Sequence, residues 1–143
     1  MSGSVDWMQW LAVGAGGAIG AVLRGLLARL ASGSSARGSE PRVDASVATL
    51  AANLAACALL GAWTTIAAGS GSTVGSDPSG PLGAFVGIGV CGSLSTFSTL
   101  CADADRLARA ESGAAHRSRV IGYLLAHLVG GPLALVAGAW LAG

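Results

Sequence analysis

One segment of the chain reads Gly87-Ile88-Gly89-Val90-Cys91-Gly92-Ser93-Leu94-Ser95-Thr96-Phe97-Ser98-Thr99-Leu100, within an uncharged run between Asp77 and Asp103. A run of that length can cross a bilayer. Its second half carries five hydroxyl side chains where a lipid-facing helix would carry leucines. At 1.5 Å per residue from Leu82, Ser93 lies roughly 16 Å into a hydrocarbon core roughly 30 Å thick.

The glycine-rich and hydroxyl-rich halves together predict a helix that breaks near the membrane midplane. Non-helical backbone at that depth requires protein or a polar cavity around it, and broken membrane helices commonly hold ions. The alternative is an unbroken helix whose Ser and Thr side chains bond their own backbone.

The composition of the 143 residues is that of a membrane protein. Hydrophobic residues make up 52% and charged residues 10%, with a mean hydropathy of +0.66, whereas soluble domains carry about 25% charged residues.

Cys57, Cys91 and Cys101 have neither metal-ligand nor disulfide spacing and are interpreted as small buried hydrophobes. No nucleic-acid partner is expected at a net charge of +1. A cleaved signal peptide is not expected, because Asp6 rather than a basic residue precedes the first apolar run.

The gaps between charges predict four transmembrane helices in a single integral membrane domain over residues 1–143. The predicted spans are about 7–30, 45–68, 82–101 and 120–142. They are joined by a basic connector (31–44), a Gly/Ser/Pro loop (69–81) and a charged segment (102–119). The fold class is therefore an all-α membrane protein, with no room for a soluble domain.

The arginines predict the orientation of the chain. The eight basic residues are all Arg, and they lie in or beside the first and third connectors, with none in the middle loop or at either terminus. By the positive-inside rule both basic connectors are cytoplasmic and both termini lie outside.

Polar residues in the other spans are candidate functional positions. Arg24 lies near the cytoplasmic interface, as a snorkelling anchor or as a positive charge at an anion vestibule. Asn53 lies roughly 12 Å into its span, where its amide either joins helices or coordinates a dehydrated anion. Tyr123 and His127 share one helix face, and an intramembrane His is either a functional site or hydrogen-bonded to a neighbouring helix.

Three motifs resemble the CrcB/Fluc fluoride channels, small four-span bacterial proteins that assemble as antiparallel dimers. Residues 16–24 (Gly16 to Arg24) look like the family's first-span GGxxGAxxR signature, and residues 49–53 (Thr49 to Asn53) look like its TLxxN. Residues 89–99 match its third-span G-x-C-G-x-x-T/S-T-F-S-T closely, and Tyr123 falls on its fourth-span tyrosine. The resemblance covers nearly the whole chain.

The resemblance implies a function and a set of site residues. It implies passive efflux of toxic fluoride across the bacterial inner membrane, without catalysis, and a structural Na⁺ at the dimer centre held by the backbone carbonyls of Gly92 and Ser95. Fluoride would meet the ring edge of Phe97, the amide of Asn53, and further pore-lining side chains. These further side chains are Thr96, Ser98, Thr99, Tyr123 and His127.

Departures from the family pattern qualify this expectation. The second family phenylalanine is Leu100 here, and His127 replaces a serine of the fourth span. An antiparallel homodimer also needs a weak arginine bias, whereas the bias here is strong. We therefore expect one half of a heterodimer with an oppositely inserted homologue that supplies the missing phenylalanine; a homodimer is the alternative.

Two other functions compete with the channel. A small multidrug exporter also has four spans, but it needs a membrane-embedded carboxylate, and all seven acidic residues are expected at span ends or in connectors. A non-conducting assembly subunit would keep the Na⁺ site and the dimer face. Leu100 and His127 favour that function, whereas Asn53, Phe97 and the hydroxyl run oppose it. No nucleophile–base pair, metal cluster or phosphate loop suggests an enzyme.

Overall fold

The computed structural model describes residues 7–34, 41–69, 80–110 and 114–143, and every regular element in these ranges is helical. The elements are α1 (Trp7–Ser34), α2 (Pro41–Gly69), α3 (Pro81–Gly83), a π-helix (Ala84–Cys91), α4 (Gly92–Leu94), α5 (Phe97–Ala110) and α6 (Ala114–Ala142). Four stretches are long and apolar enough to cross a membrane: Trp7–Leu30, Ser46–Gly69, Pro81–Arg109 and Arg117–Ala142. The expectation of an all-helical chain with four such helices is confirmed. Arg37 and most of the Gly/Ser/Pro loop lie outside the described residues.

Helix α1 packs against the π-helix through glycines. A Cβ atom on Gly16 would collide with the carbonyl oxygen of Phe85 and lie 3.1 Å from the Cα of Gly89. One turn later, a Cβ on Gly20 would collide with the hydroxyl of Ser93. Small residues let membrane helices approach to backbone contact, so these glycines hold the third span against the first.

Helices α2 and α6 form the most extensive helix pair, and they run parallel. Gly131 faces the thiol of Cys57, and one turn further along both helices Leu135 contacts Gly61. Because the contacts advance together along the two chains, the helices point the same way. The contacts between the two helices therefore show which residues of α2 lie at the same height as a given residue of α6.

Much of the apolar surface remains outside the chain's own core. None of the most apolar window of α6 is buried within the chain, and the buried hydrophobic cluster is built mainly from small residues, Ala52, Ala56 and Cys91, with Leu94. Trp7, Trp10 and Trp140 are exposed at the ends of their helices. The outer faces have the composition of surfaces that meet lipid or another subunit.

Candidate functional site

The third apolar stretch is interrupted at Ser95 and Thr96. Helix α4 ends at Leu94, Ser95 has extended backbone angles (φ −82°, ψ 146°), and α5 begins at Phe97. The amide of Ser95 still donates to the carbonyl of Cys91 at 3.0 Å, and the amide of Leu100 donates to the carbonyl of Thr96 at 3.4 Å. The helical hydrogen-bond ladder therefore stops and restarts over two residues.

The side chain of Asn53 bridges α2 to this interruption. The backbone N–H of Thr96 donates to Oδ1 of Asn53 at 3.0 Å. Because an N–H can only donate, the amide oxygen must face Thr96, and this bond fixes the orientation of the amide. The NH₂ group of Asn53 is thereby turned away from Thr96, with two protons to offer elsewhere.

Three hydroxyl residues cluster at the start of α5. Thr96 caps the helix, because its Oγ1 accepts a hydrogen bond from the backbone N–H of Thr99 at 3.3 Å. The same oxygen lies 3.0 Å from Oγ of Ser98 and 3.1 Å from Oγ1 of Thr99. Two mutual bonds use two of the three hydroxyl protons, so the cluster always keeps one proton for a further acceptor.

The two side-chain bonds release the carbonyls of Gly92 and Ser95. In a continuous helix the carbonyl of Gly92 would accept from the N–H of Thr96, and that of Ser95 from the N–H of Thr99. Those donors instead bond Asn53 and the Thr96 hydroxyl. Backbone carbonyls that have lost their helical donor are suitable ligands for a hard cation, so the residues present fit the Na⁺ that the family resemblance implies. No cluster of three His, Cys, Asp or Glu side chains exists among the described residues, and a carbonyl site does not need one.

A cavity of about 350 Å³ lies between α1, α2 and α5. Its lining residues include the hydroxyl residues Thr96 and Thr99, two arginines, Arg24 and Arg106, and Asp103. Two positive charges against one negative charge make the cavity attractive to an anion. Arg24, an interfacial candidate from the sequence, thus shares a cavity with the start of α5.

Asp103 is the functional candidate that the sequence reasoning missed. The charge gaps put it in a connector, but it lies within the helical stretch Pro81–Arg109 and exposes only 2% of its surface. Its Oδ2 accepts a 2.7 Å hydrogen bond from Thr49 and a 3.4 Å bond from Tyr123, and Arg106 lies 3.5 Å from Oδ1. The predicted third span ended at residue 101, whereas the helical stretch continues past Asp103 to Arg109. The i, i+4 spacing of Thr99 and Asp103 was the available signal.

Tyr123 and His127 continue this polar network along α6. The hydroxyl of Tyr123 donates to Asp103, and Nδ1 of His127 lies 3.0 Å from the backbone carbonyl of Tyr123. The two rings meet edge to face, with centroids 4.5 Å apart. Nε2 of His127 is buried and has no hydrogen-bond partner among the residues that the structure describes.

Phe97 stands apart from this network. Its side chain is 79% exposed, so its ring packs on almost nothing in its own chain. Leu100, at the position of the second family phenylalanine, is half-buried. The structure thus links Arg24, Asn53, Thr96, Ser98, Thr99, Tyr123 and His127 through one cavity and its hydrogen bonds, and leaves Phe97 facing outward.

These features define a small multi-pass membrane protein with a polar, positively charged cavity beside an interrupted helix. Residues 11–139 match the family described as CrcB-like protein, Camphor Resistance (CrcB). The chain belongs to this family, which includes the fluoride channels and is a family of channels rather than enzymes. No curated protein matches the chain.

Proposed function

We propose that this chain is one subunit of a fluoride-selective channel that lets toxic fluoride leave the cell passively. Family membership supports a channel of this type. The observation that carries the proposal is the bond from the Thr96 amide to Oδ1 of Asn53. It ties the second span to the interruption of the third and leaves the amide protons of Asn53 for an anion.

Fluoride is strongly hydrated, so a pore must replace its water with close hydrogen-bond donors. Asn53 offers two amide protons, and the Thr96–Ser98–Thr99 cluster offers one hydroxyl proton. Arg24 and Arg106 raise the local anion concentration in the cavity that Thr96 and Thr99 line. Donors of this kind would serve a small anion better than a large one, because a small anion forms shorter hydrogen bonds.

The pore is completed by a second subunit in our proposal. Phe97 exposes 79% of its surface and has a positive ring edge suited to an anion. A homologue inserted in the opposite orientation would cover the exposed faces of the spans. A structural Na⁺ at the interruption would be held by the backbone carbonyls of Gly92 and Ser95. Its positive charge would stabilise these carbonyl groups, which have lost their helical N–H donors.

We propose a heterodimer in the bacterial inner membrane, with both termini of this chain outside. The arginine bias supports a single orientation, and Leu100 leaves an aromatic position for the partner to fill. An antiparallel homodimer remains the alternative, and it requires that the same chain insert in both directions.

A small multidrug exporter needs a carboxylate within its membrane spans, and the buried Asp103 is such a carboxylate. Against that function, the carboxylate already accepts hydrogen bonds from two hydroxyl groups and lies beside Arg106. A proton carrier must instead bind and release protons from a site that is open to exchange. The non-conducting assembly subunit remains the other alternative, on the strength of Leu100 and His127.

Efflux from liposomes tests the proposal. The protein is reconstituted alone and together with a co-expressed homologous subunit, and fluoride and chloride efflux are followed by ion-selective electrodes. Fluoride efflux without chloride efflux in either preparation supports a channel subunit, and efflux only with the partner supports the heterodimer. No fluoride efflux from either preparation contradicts the channel function and leaves the assembly subunit.

A further inference from the structure

Two of the three cysteines lie on facing helices beside the helix interruption. Cys57, on α2, is half-buried, and Cys91, the last residue of the π-helix, is buried. Both thiols are free. Their spacing in the sequence indicates no shared site, so any relation between them comes from the packing of the second span on the third.

Two contacts fix the register of these spans. The backbone N–H of Thr96 donates to Oδ1 of Asn53 at 3.0 Å, and a Cβ atom on Gly87 would lie 3.8 Å from Cδ1 of Leu60. The contacts advance along α2 as they retreat along the third span, so the two segments run antiparallel.

The two cysteines lie between these contacts, at the same height. Cys57 is four residues after Asn53 and three before Leu60, and these spacings place all three on one face of α2. Cys91 is four residues after Gly87 in the facing segment. The cysteines therefore stand opposite each other, about one turn from the bond that Asn53 makes to the interruption.

Both cysteines line one cavity of about 150 Å³. Gly87 and Gly92 line its third-span side, and a Cβ atom on Gly92 would meet nothing within 4 Å. Gly131 of α6 places no side chain against the sulfur of Cys57, which would be 3.6 Å from a Cβ atom at that position. A bound water needs only about 10–15 Å³ of such space, so a single ion fits between the helices.

The chemistry of this cavity selects one class of ion. Thiolates bind soft cations, whereas Zn²⁺ in a structural site requires four ligands, and the described residues contain no cluster of three His, Cys, Asp or Glu side chains. Hg²⁺ is soft and is satisfied by two thiolates. Two thiolates also cancel its charge, and a neutral complex suits a cavity whose described lining carries no charged side chain. Ag⁺ or Cu⁺ would leave a negative charge on the same two ligands.

We propose that Cys57 and Cys91 form a two-coordinate binding site for Hg²⁺ that bridges the second and third spans. With mercuric chloride as the source, two S–H bonds and two Hg–Cl bonds break, two Hg–S bonds form, and two protons and two chloride ions leave. The coordinating thiols are thereby deprotonated. The exchange needs no oxidant or reductant, and the site does not depend on what the protein conducts.

Three variants with equal numbers of thiols test the site. Cys101→Ser keeps the facing pair and removes the exposed thiol, whereas Cys91→Ser and Cys57→Ser each keep Cys101 and one member of the pair. Each purified protein receives one equivalent of mercuric chloride in detergent, and its intact mass is measured. We expect Cys101→Ser to gain one mercury atom without chloride and to lose two protons and both reactive thiols within one chain. The other two variants should retain chloride on mercury or form mercury-linked chains.

Thermal unfolding provides the second readout. An ion that binds both spans of the folded protein stabilises it, so the melting temperature of Cys101→Ser should rise by at least about 5 °C and return to its starting value with excess dithiothreitol. Zinc chloride should produce no rise. The proposal would be overturned by equal bridging in all three variants, by chloride retained in Cys101→Ser, or by loss of its two thiols to a disulfide without mercury. A melting temperature that mercury leaves unchanged would also contradict a bridge between the spans.

Discussion

The backbone amide of Thr96 donates to the side-chain oxygen of Asn53 at 3.0 Å, across two different helices. This bond makes Asn53 a structural partner of the helix interruption and turns its NH₂ donor group away from Thr96. Asn53→Asp separates the roles, because aspartate keeps the acceptor but loses the amide donors and adds a negative charge. We expect fluoride efflux to fall by at least about tenfold, since a hydrogen bond to a charged group contributes about 1.5–3 kcal/mol.

Folding of the variant is the control for this result. Asn53→Asp should retain the wild-type elution profile and helix content in detergent, whereas Asn53→Leu, which also loses the acceptor, should melt at a lower temperature. Unchanged efflux from a well-folded Asn53→Asp protein would exclude the Asn53 amide from the pore.

Asp103 should matter for stability. Asp103→Ala removes the buried carboxylate that accepts hydrogen bonds from the hydroxyls of Thr49 and Tyr123. We expect the free energy of unfolding to fall by about 1–3 kcal/mol, measured by thermal unfolding in detergent. Asp105→Ala is the matched control on the same helix, because Asp105 is exposed and pairs with Arg109, which is more exposed still. Equal melting temperatures for the two variants would show that the Asp103 network does not stabilise the fold.

Two adjacent glycines of α1 should differ in their tolerance of a methyl group. A Cβ at Gly16 would collide with the Phe85 carbonyl, whereas a Cβ at Gly17 meets nothing within 4 Å. Gly16→Ala should therefore cost about 1–3 kcal/mol of stability through overpacking. Gly17→Ala should leave the melting temperature unchanged or raise it slightly, since alanine is the better helix former. The reverse order would mean that α1 does not pack on the π-helix as described.

Phe97 should affect conduction without affecting the fold of the chain. Because 79% of it is exposed, Phe97→Leu should leave helix content and melting temperature at wild-type values. We expect fluoride efflux to fall by about an order of magnitude, because leucine lacks the ring quadrupole that favours an anion. Trp140→Leu, equally exposed at 80%, is the control and should conduct normally. Wild-type efflux from Phe97→Leu would remove Phe97 from the ion pathway.

Parts of this architecture were predictable from sequence because they depend on local pattern. Long apolar runs between charges predict helices of membrane-spanning length, and the glycine-to-hydroxyl change around Ser93 marks an unusual third span. The bond between Asn53 and Thr96 was not predictable, because it depends on the register of two helices that are distant in sequence. Composition does not determine that register.

Asp103 shows a second limit of sequence reasoning. A charge that interrupts an apolar run predicts the end of a span, on the assumption that the charge meets water. Here Thr49 and Tyr123 approach from two other helices and provide hydrogen bonds in place of water. The unmatched Nε2 of His127 is also a product of tertiary structure, since the sequence shows the spacing of Tyr123 and His127 but not which ring nitrogen is satisfied.

The reversal potential of the fluoride current tests the central claim most directly. Planar bilayers containing this protein, with its partner subunit if required, are given a fluoride gradient at constant chloride, first at equal pH and then with a pH difference. A passive fluoride channel predicts a current that reverses at the fluoride equilibrium potential under both conditions, even if its size changes with pH. A reversal potential that follows the proton gradient would indicate a proton-coupled transporter, and either that result or the absence of any fluoride current would contradict the account.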